Sequence, residues 1–221
     1  MSSHAILKLT ILTQLLAWSL PADAGEFHAV IKDQAGQQVE DAVVIATPAD
    51  GKKIPLVKRE REEVDQVNKE FVPHVKVVYI NSQVYFPNRD NIRHHVYSFS
   101  PAKKFELPLY SGVTAAPVVF DKAGVVVLGC NIHDWMLGYV YVADTPYFAK
   151  SRMDGTAIIN DLPAGEYLVR VWQPRMEVAE EATTRKVTID AAGTRQLEWK
   201  LSLKPEVKIS RISSDRSGGY R

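Results

Sequence analysis

The chain has 221 residues, a formal net charge of +1 and a single cysteine. That near-neutral balance excludes an electrostatically driven nucleic-acid binder and strong attraction to an anionic membrane. The length leaves room for one or two domains with cores of their own.

Residues 1–24 read as a secretory signal peptide. Lys8 gives a weak positive start, and residues 9–20 form an apolar run broken by Thr10, Thr13, Gln14 and Ser19. Ala22-Asp23-Ala24 has the small-residue spacing of a cleavage site, so the mature chain is expected to begin near Gly25. The run is shorter than the ~20 residues a spanning helix needs, so no stable membrane insertion is expected after cleavage. Outside the cytosol a leftover thiol implies intermolecular pairing, a reactive sulfur or a ligated one.

Residues 27–44 read as a strand, an Asp-x-x-Gly turn at Asp33–Gly36, and a second strand through Ala42-Val43-Val44. Residues 59–69 are charged, and periodicity does not separate a short helix from an edge strand there. In residues 75–80, Val75, Val77 and Tyr79 alternate with Lys76, Val78 and Ile80, the pattern of a largely buried strand. Residues 83–88, 116–120, 125–128 and 138–142 are short runs rich in β-branched and aromatic residues. Turn chemistry at residues 88–91 and 121–124 separates them. Residues 153–172 carry turn signals at Asp154-Gly155 and Ala164-Gly165, the second read as a hairpin. Asp154, Asp161 and Glu166 there read as turn and strand-end residues. Strands at about ten-residue spacing, with no long helical period, define an all-β chain built as a sandwich or barrel. Residues 204–221 carry Lys204, Lys208, Arg211, Arg216 and Arg221 against Glu206 and Asp215, and read as a flexible basic tail.

The densest chemistry lies at residues 130–136, Cys-Asn-Ile-His-Asp-Trp-Met. Cys130, His133 and Met136 offer a thiolate, an imidazole and a thioether, a set that suits copper. A trigonal site of two histidines and a cysteine with a weak axial Met is that of a blue-copper electron-transfer centre. It needs a second histidine, and His94 and His95 are the candidates upstream. Trp135, between two of these residues, either joins a small apolar patch for docking or packs over its own loop. Tyr97, Phe99, Tyr139 and Tyr141 read as core, Phe86 and Pro87 as structural, and His28 and His74 as outside the ligand set.

Residues 94–100 (His-His-Val-Tyr-Ser-Phe-Ser), 125–130 (Val-Val-Val-Leu-Gly-Cys) and 131–136 resemble the copper-binding halves of a cupredoxin. The ligand-loop spacing is similar to that of amicyanin. The stretch 62–149 looks like the plastocyanin-like periplasmic proteins often named for methylamine utilisation. The resemblance implies a Greek-key β-sandwich with one type 1 copper held by His94, Cys130, His133 and Met136, with His95 as the alternative to His94. His95 stands where the family has an Asn that tethers the ligand loops. Asp134 stands where amicyanin-like loops commonly have Pro, which leaves the loop less stiff and puts a carboxylate near the metal. Residues 27–44 and 153–172 resemble the two halves of a carboxypeptidase-regulatory-like, transthyretin-like sandwich. The expected organisation is therefore a discontinuous sandwich (25–58 plus 150–203) with the copper domain (59–149) inserted in it. In the other arrangement the first strands join the copper sandwich directly.

The resemblance implies a periplasmic carrier of single electrons, not an enzyme, working between redox partners such as a c-type cytochrome or a dehydrogenase. A copper-binding or delivery protein without redox turnover would use the same residues. A structural β-protein with a vestigial site is opposed by the complete ligand set. A Cys-His hydrolase is opposed by the absence of an orienting group in the pattern, and zinc by the thioether.

Overall fold

The computed structural model describes residues 24–52, 54, 61–112 and 116–206. The expected signal peptide up to Asp23, residues 59–60 of the charged stretch and the expected basic tail from Val207 lie outside the described residues. The chain is all-β: among the described residues the one helical segment is a 3-10 turn at Glu180–Thr183. No helix there is long and apolar enough to cross a membrane.

The described residues begin with β1 (Ala24–Asp33) and β2 (Val43–Pro48). They continue through β3 (Glu62–Glu63), β4 (Asp65–Val67), β5 (Glu70–Val72), β6 (Val75–Tyr79) and β7 (Ser82–Tyr85). Next come β8 (His94–Ser100), β9 (Lys103–Tyr110), β10 (Val118–Phe120), β11 (Gly124–Cys130) and β12 (Leu137–Ala143). They end with β13 (Phe148–Lys150), β14 (Thr156–Pro163), β15 (Gly165–Trp172), β16 (Arg185–Ile189) and β17 (Thr194–Leu201). Four sheets result, ordered β14-β1-β17, β13-β2-β15-β16, β6-β12-β11-β8-β9 and β10-β7-β3, with a separate β4-β5 hairpin.

Three buried clusters hold these sheets together. Phe27, Ile31, Leu162, Tyr167 and Trp199 fill the space between the first two sheets. Val84, Phe86, Phe120, Val126 and Leu128 fill that between the last two, where Cys130 and Met136 also lie. Val43 and Ile45 of β2 meet Val75, Tyr141 and Ala143 between the middle pair. The apolar run at residues 42–46 follows from this layering, because β2 is buried on both faces and cannot alternate with polar residues.

Turn chemistry sets the strand ends. Asp33 Oδ1 accepts the amides of Ala35 (2.9 Å) and Gln37 (2.8 Å), and Gly36 takes φ +83°, where a β-carbon is disfavoured. The expected Asp-x-x-Gly turn is therefore present. The charged stretch is strand: its described part forms β3 and β4. The hairpin expected at Ala164-Gly165 is a corner instead. β14 pairs with β1 and β15 pairs with β2, so the chain crosses from one sheet to the other there. The Tyr167 hydroxyl donates to the Pro163 carbonyl (2.8 Å) and secures the corner. Of the aromatics expected in the core, Tyr141 is buried and Tyr97 and Tyr139 are half-buried, but Phe99 is 78% exposed at the outer end of β8.

Candidate metal centre

Strand pairing brings the upstream histidine to the cysteine loop. β8 and β11 are antiparallel neighbours with Cys130 opposite Val96, so the start of β8 and the end of β11 lie at one end of the sheet. Along β11, Val126, Leu128 and Cys130 face inward on the strand period of two. Along β8 the inward set is His94, Val96 and Ser98. The loop after Cys130 turns back at once, with the Met136 amide donating to the His133 carbonyl (2.9 Å), and enters β12.

Three donor atoms converge. The nitrogen and sulfur ligand atoms of His94, Cys130 and His133 all lie within 4.8 Å of one another. Cys130 Sγ is 3.8 Å from His94 Nδ1 and 3.7 Å from His133 Nδ1. The two imidazole rings are 5.0 Å apart between centroids. His94 is fully buried, Cys130 is 4% exposed and Met136 2%. His133 keeps part of its surface in solvent.

These separations fit a metal ion. Bonds of about 2.3 Å to sulfur and about 2.0–2.1 Å to nitrogen place the two donors roughly 3.5–3.6 Å apart at tetrahedral angles and roughly 3.7–3.8 Å at trigonal ones. The separations of 3.7 and 3.8 Å lie at the trigonal end of that range. The donor set of one thiol, two imidazole nitrogens and a nearby buried thioether residue fits copper by softness. Burial, then the neighbouring His94 and Lys69, push the His133 pKa below its ordinary value, with Asp90 acting the other way. The shift favours the neutral form of His133, the form that binds a metal.

The adjacent histidine goes elsewhere. His95 lies on the opposite face of β8, its Nε2 3.0 Å from Glu106 Oε1, a contact without hydrogen-bond alignment. Its ring packs beside Tyr97 at 5.7 Å. Asn88 braces the turn before β8, donating to the carbonyls of Ile92 (2.9 Å) and Tyr110 (2.8 Å).

Asp90 is a functional candidate that sequence reading placed only in a turn. Its Oδ2 is 2.7 Å from His94 Nε2, and its side chain is 12% exposed. Burial alone raises its pKa, but hydrogen bonds from the Lys69 amide, His94 and the Asn68 amide together bring it below the usual carboxylate value. The available sequence signal was a carboxylate four residues before the buried histidine.

Trp135 is half-buried with its ring 5.3 Å from that of His133, and its indole nitrogen is shielded from solvent without a hydrogen-bond partner. With Phe71, His74 and Leu137 it lines one side of a groove of about 1100 Å³, whose other side comes from the β1–β2 turn and residues 173–175. Asp134 is exposed.

No family model matches the chain, and no curated protein matches it either. Solved structures similar to it include cupredoxins. A Cu-containing nitrite reductase from Thermus scotoductus SA-01 is 20% identical with a TM-score of 0.37; the match covers 53% of this chain and 28% of that one. A point mutant of amicyanin in its reduced state is 23% identical with a TM-score of 0.35, over 44% of this chain and 98% of that one. A purple cupredoxin from Nitrosopumilus maritimus is 21% identical with a TM-score of 0.33, over 38% of this chain and all (100%) of that one. The chemistry of the site is carried by its own geometry.

Proposed function

We propose that this protein is a periplasmic type 1 copper protein that carries single electrons between redox partners. The convergence of Cys130 Sγ with His94 Nδ1 and His133 Nδ1 at one buried point carries the reading. His94, Cys130 and His133 would hold the metal, with the buried Met136 beside them as the fourth ligand. When bound, copper would supply reversible one-electron chemistry between Cu(I) and Cu(II).

The protein's own residues determine how well that chemistry runs. His94 comes from a strand start and Cys130 from a strand end in one hydrogen-bonded sheet, so the two cannot drift apart independently. A frame held on both faces resists rearrangement when the charge on the metal changes. The burial of Cys130 leaves little room for a substrate, which favours a carrier over an enzyme. His133 is the partly exposed ligand and therefore the electron exit. Beside it Ile132 is 47% exposed and Leu137 43%, apolar surface suited to brief docking of a c-type cytochrome or a dehydrogenase. We propose the organisation in the same terms: a signal peptide over 1–24, a copper domain over 59–149, and a flanking sandwich built from 25–58 and 150–203.

The test is a copper titration of the purified protein followed by visible absorption and electron paramagnetic resonance. One equivalent of copper with an intense thiolate band and narrow parallel hyperfine splitting is expected. Colourless uptake, or preference for zinc, overturns the electron-carrier reading in favour of delivery or structural binding.

A further inference from the structure

Asp90 belongs to two structures at once. One carboxylate oxygen, Oδ2, faces His94 Nε2 at 2.7 Å, on the opposite side of the ring from the atom turned to Cys130. The same carboxylate accepts the amides at the tip of the β4–β5 hairpin, Asn68 at 2.7 Å through Oδ1 and Lys69 at 2.9 Å through Oδ2. Its own amide donates to Asn88 Oδ1 at 3.0 Å, which fixes the turn that carries it.

The hairpin needs this grip. Val67 pairs with Glu70, so Asn68 and Lys69 are a two-residue loop. Both lie in the left-handed region, at φ +54° and +61°. Such loops favour Asn and Gly, and Lys69 brings a β-carbon that this region disfavours. A carboxylate accepting both loop amides offsets that strain. An imidazole whose outer nitrogen donates to a carboxylate is held in one tautomer and orientation, and its inner nitrogen becomes a stronger donor.

We propose that Asp90 is the positioning residue of the metal centre: it aims His94 Nδ1 at the metal and couples occupancy of that site to the order of the β4–β5 hairpin. The metal half of this inference rests on the copper reading above; the hydrogen-bonded half does not. Asparagine cannot replace the carboxylate. It has one acceptor oxygen where three donors converge, and its amide would face the Asn68 N–H in one orientation and both the Lys69 N–H and His94 Nε2 in the other.

The experiment compares wild type with Asp90→Asn, titrating each with copper and measuring affinity, reduction potential and amide hydrogen exchange. Asp90→Asn is expected to bind copper 10–100-fold more weakly, the usual size of such outer-shell effects. Because a carboxylate-backed imidazole favours the higher charge, preference for Cu(II) over Cu(I) is expected to fall about tenfold, an upward shift of about 59 mV. The Asn68 and Lys69 amides are expected to exchange at least about tenfold faster in the variant, and more slowly in copper-loaded than in apo wild type.

Unchanged affinity and potential in Asp90→Asn, with a normal blue band in wild type, overturns the inference and leaves the copper reading intact. Absence of copper uptake by wild type overturns the copper reading and, with it, the coupling. One readout needs neither copper nor a variant that folds. Nitrogen-15 spectra of the apo protein are expected to show His94 protonated on Nε2, and a ring protonated on Nδ1 instead overturns the positioning role.

Discussion

Gly129 precedes Cys130 and sits opposite Tyr97 in the β8–β11 pair. A β-carbon there would lie 2.7 Å from Tyr97 Cζ, 2.8 Å from its hydroxyl oxygen and 3.1 Å from Cε2. Relief requires the ring to move by about 1 Å, since carbon atoms rest at about 3.5–4.0 Å. The ring is not free to do so at no cost, because it packs against Phe99 at 5.2 Å and His95 at 5.7 Å. Overpacking of this kind costs about 1–3 kcal/mol. The backbone of Gly129 is not in the left-handed region, so alanine recovers the roughly 0.5–1 kcal/mol that glycine forfeits within a strand. Gly129→Ala is therefore expected to destabilise the apo protein by up to about 2.5 kcal/mol when Tyr97 is present. In a Tyr97→Ala background the obstacle is gone, and the same change is expected to stabilise by about 0.5–1 kcal/mol. Urea unfolding of the four proteins closes the cycle. Additive costs, agreeing within about 0.5 kcal/mol, would refute the contact as the reason for glycine at this position.

Other outcomes are equally direct. Cys130→Ser is expected to abolish the intense visible band on copper addition, while Met136→Gln keeps copper and band but shifts the potential; a full band in Cys130→Ser rules out the thiolate site. His95→Ala is expected to leave copper affinity within about threefold of wild type and His94→Ala to lower it by about 10-fold or more, as isothermal titration reads it, since His94 faces Cys130 whereas His95 faces Glu106, and loss of even a residue that supports a ligand costs about 10–100-fold; the reverse order would move the ligand to His95. Burial, then Tyr147 and Asp50, raise the Tyr167 pKa to about 12. The folded state therefore keeps a proton that the unfolded chain loses near pH 10, so this contribution to stability is full below about pH 10 and is lost as pH rises toward 12. Tyr167→Phe is expected to cost about 0.5–1.5 kcal/mol at pH 7 through the lost bond to Pro163 and to flatten the alkaline decline in Tm; a decline of unchanged slope would place its origin elsewhere.

The candidate metal site was legible because most of it is local. Cys130, His133 and Met136 lie within one loop, and spacing alone suggests that they can face one point. The choice between His94 and His95 was harder, because a strand has two faces and the sequence 94–100 does not say which meets a core. The structure places His94 with Val96 on the inward face. Asp90 was not legible as more than a turn residue, since its contacts join two turns brought together by folding: the one before β8 and the tip of β4–β5. The corner at Ala164-Gly165 was misread for a related reason. Its Gly-containing turn is compatible with a hairpin, and only the pairing of β14 with β1 and of β15 with β2 shows that the chain changes sheets.

β12 links the metal site to the rest of the molecule. It leaves the ligand loop at Leu137, and its Val140 and Val142 face the cluster that contains Cys130 and Met136. Its Tyr141 and Ala143 face the other way, into the junction with Val43 and Ile45 of β2. There Trp172 of β15 packs against Tyr139 and Tyr141 with centroids 5.8 and 5.4 Å apart. The Tyr141 hydroxyl donates to Glu180 (2.6 Å), which also receives Arg170 Nε (2.6 Å), while a second nitrogen of that guanidinium reaches Asp144 (2.9 Å). A close-packed interior transmits displacement instead of absorbing it. The strand that ends the ligand loop is therefore braced from behind by a second sandwich, not by solvent. Such backing would suit the proposed copper centre, whose ligands must hold still through a change of charge, and it would give the flanking sheets a role in that proposal.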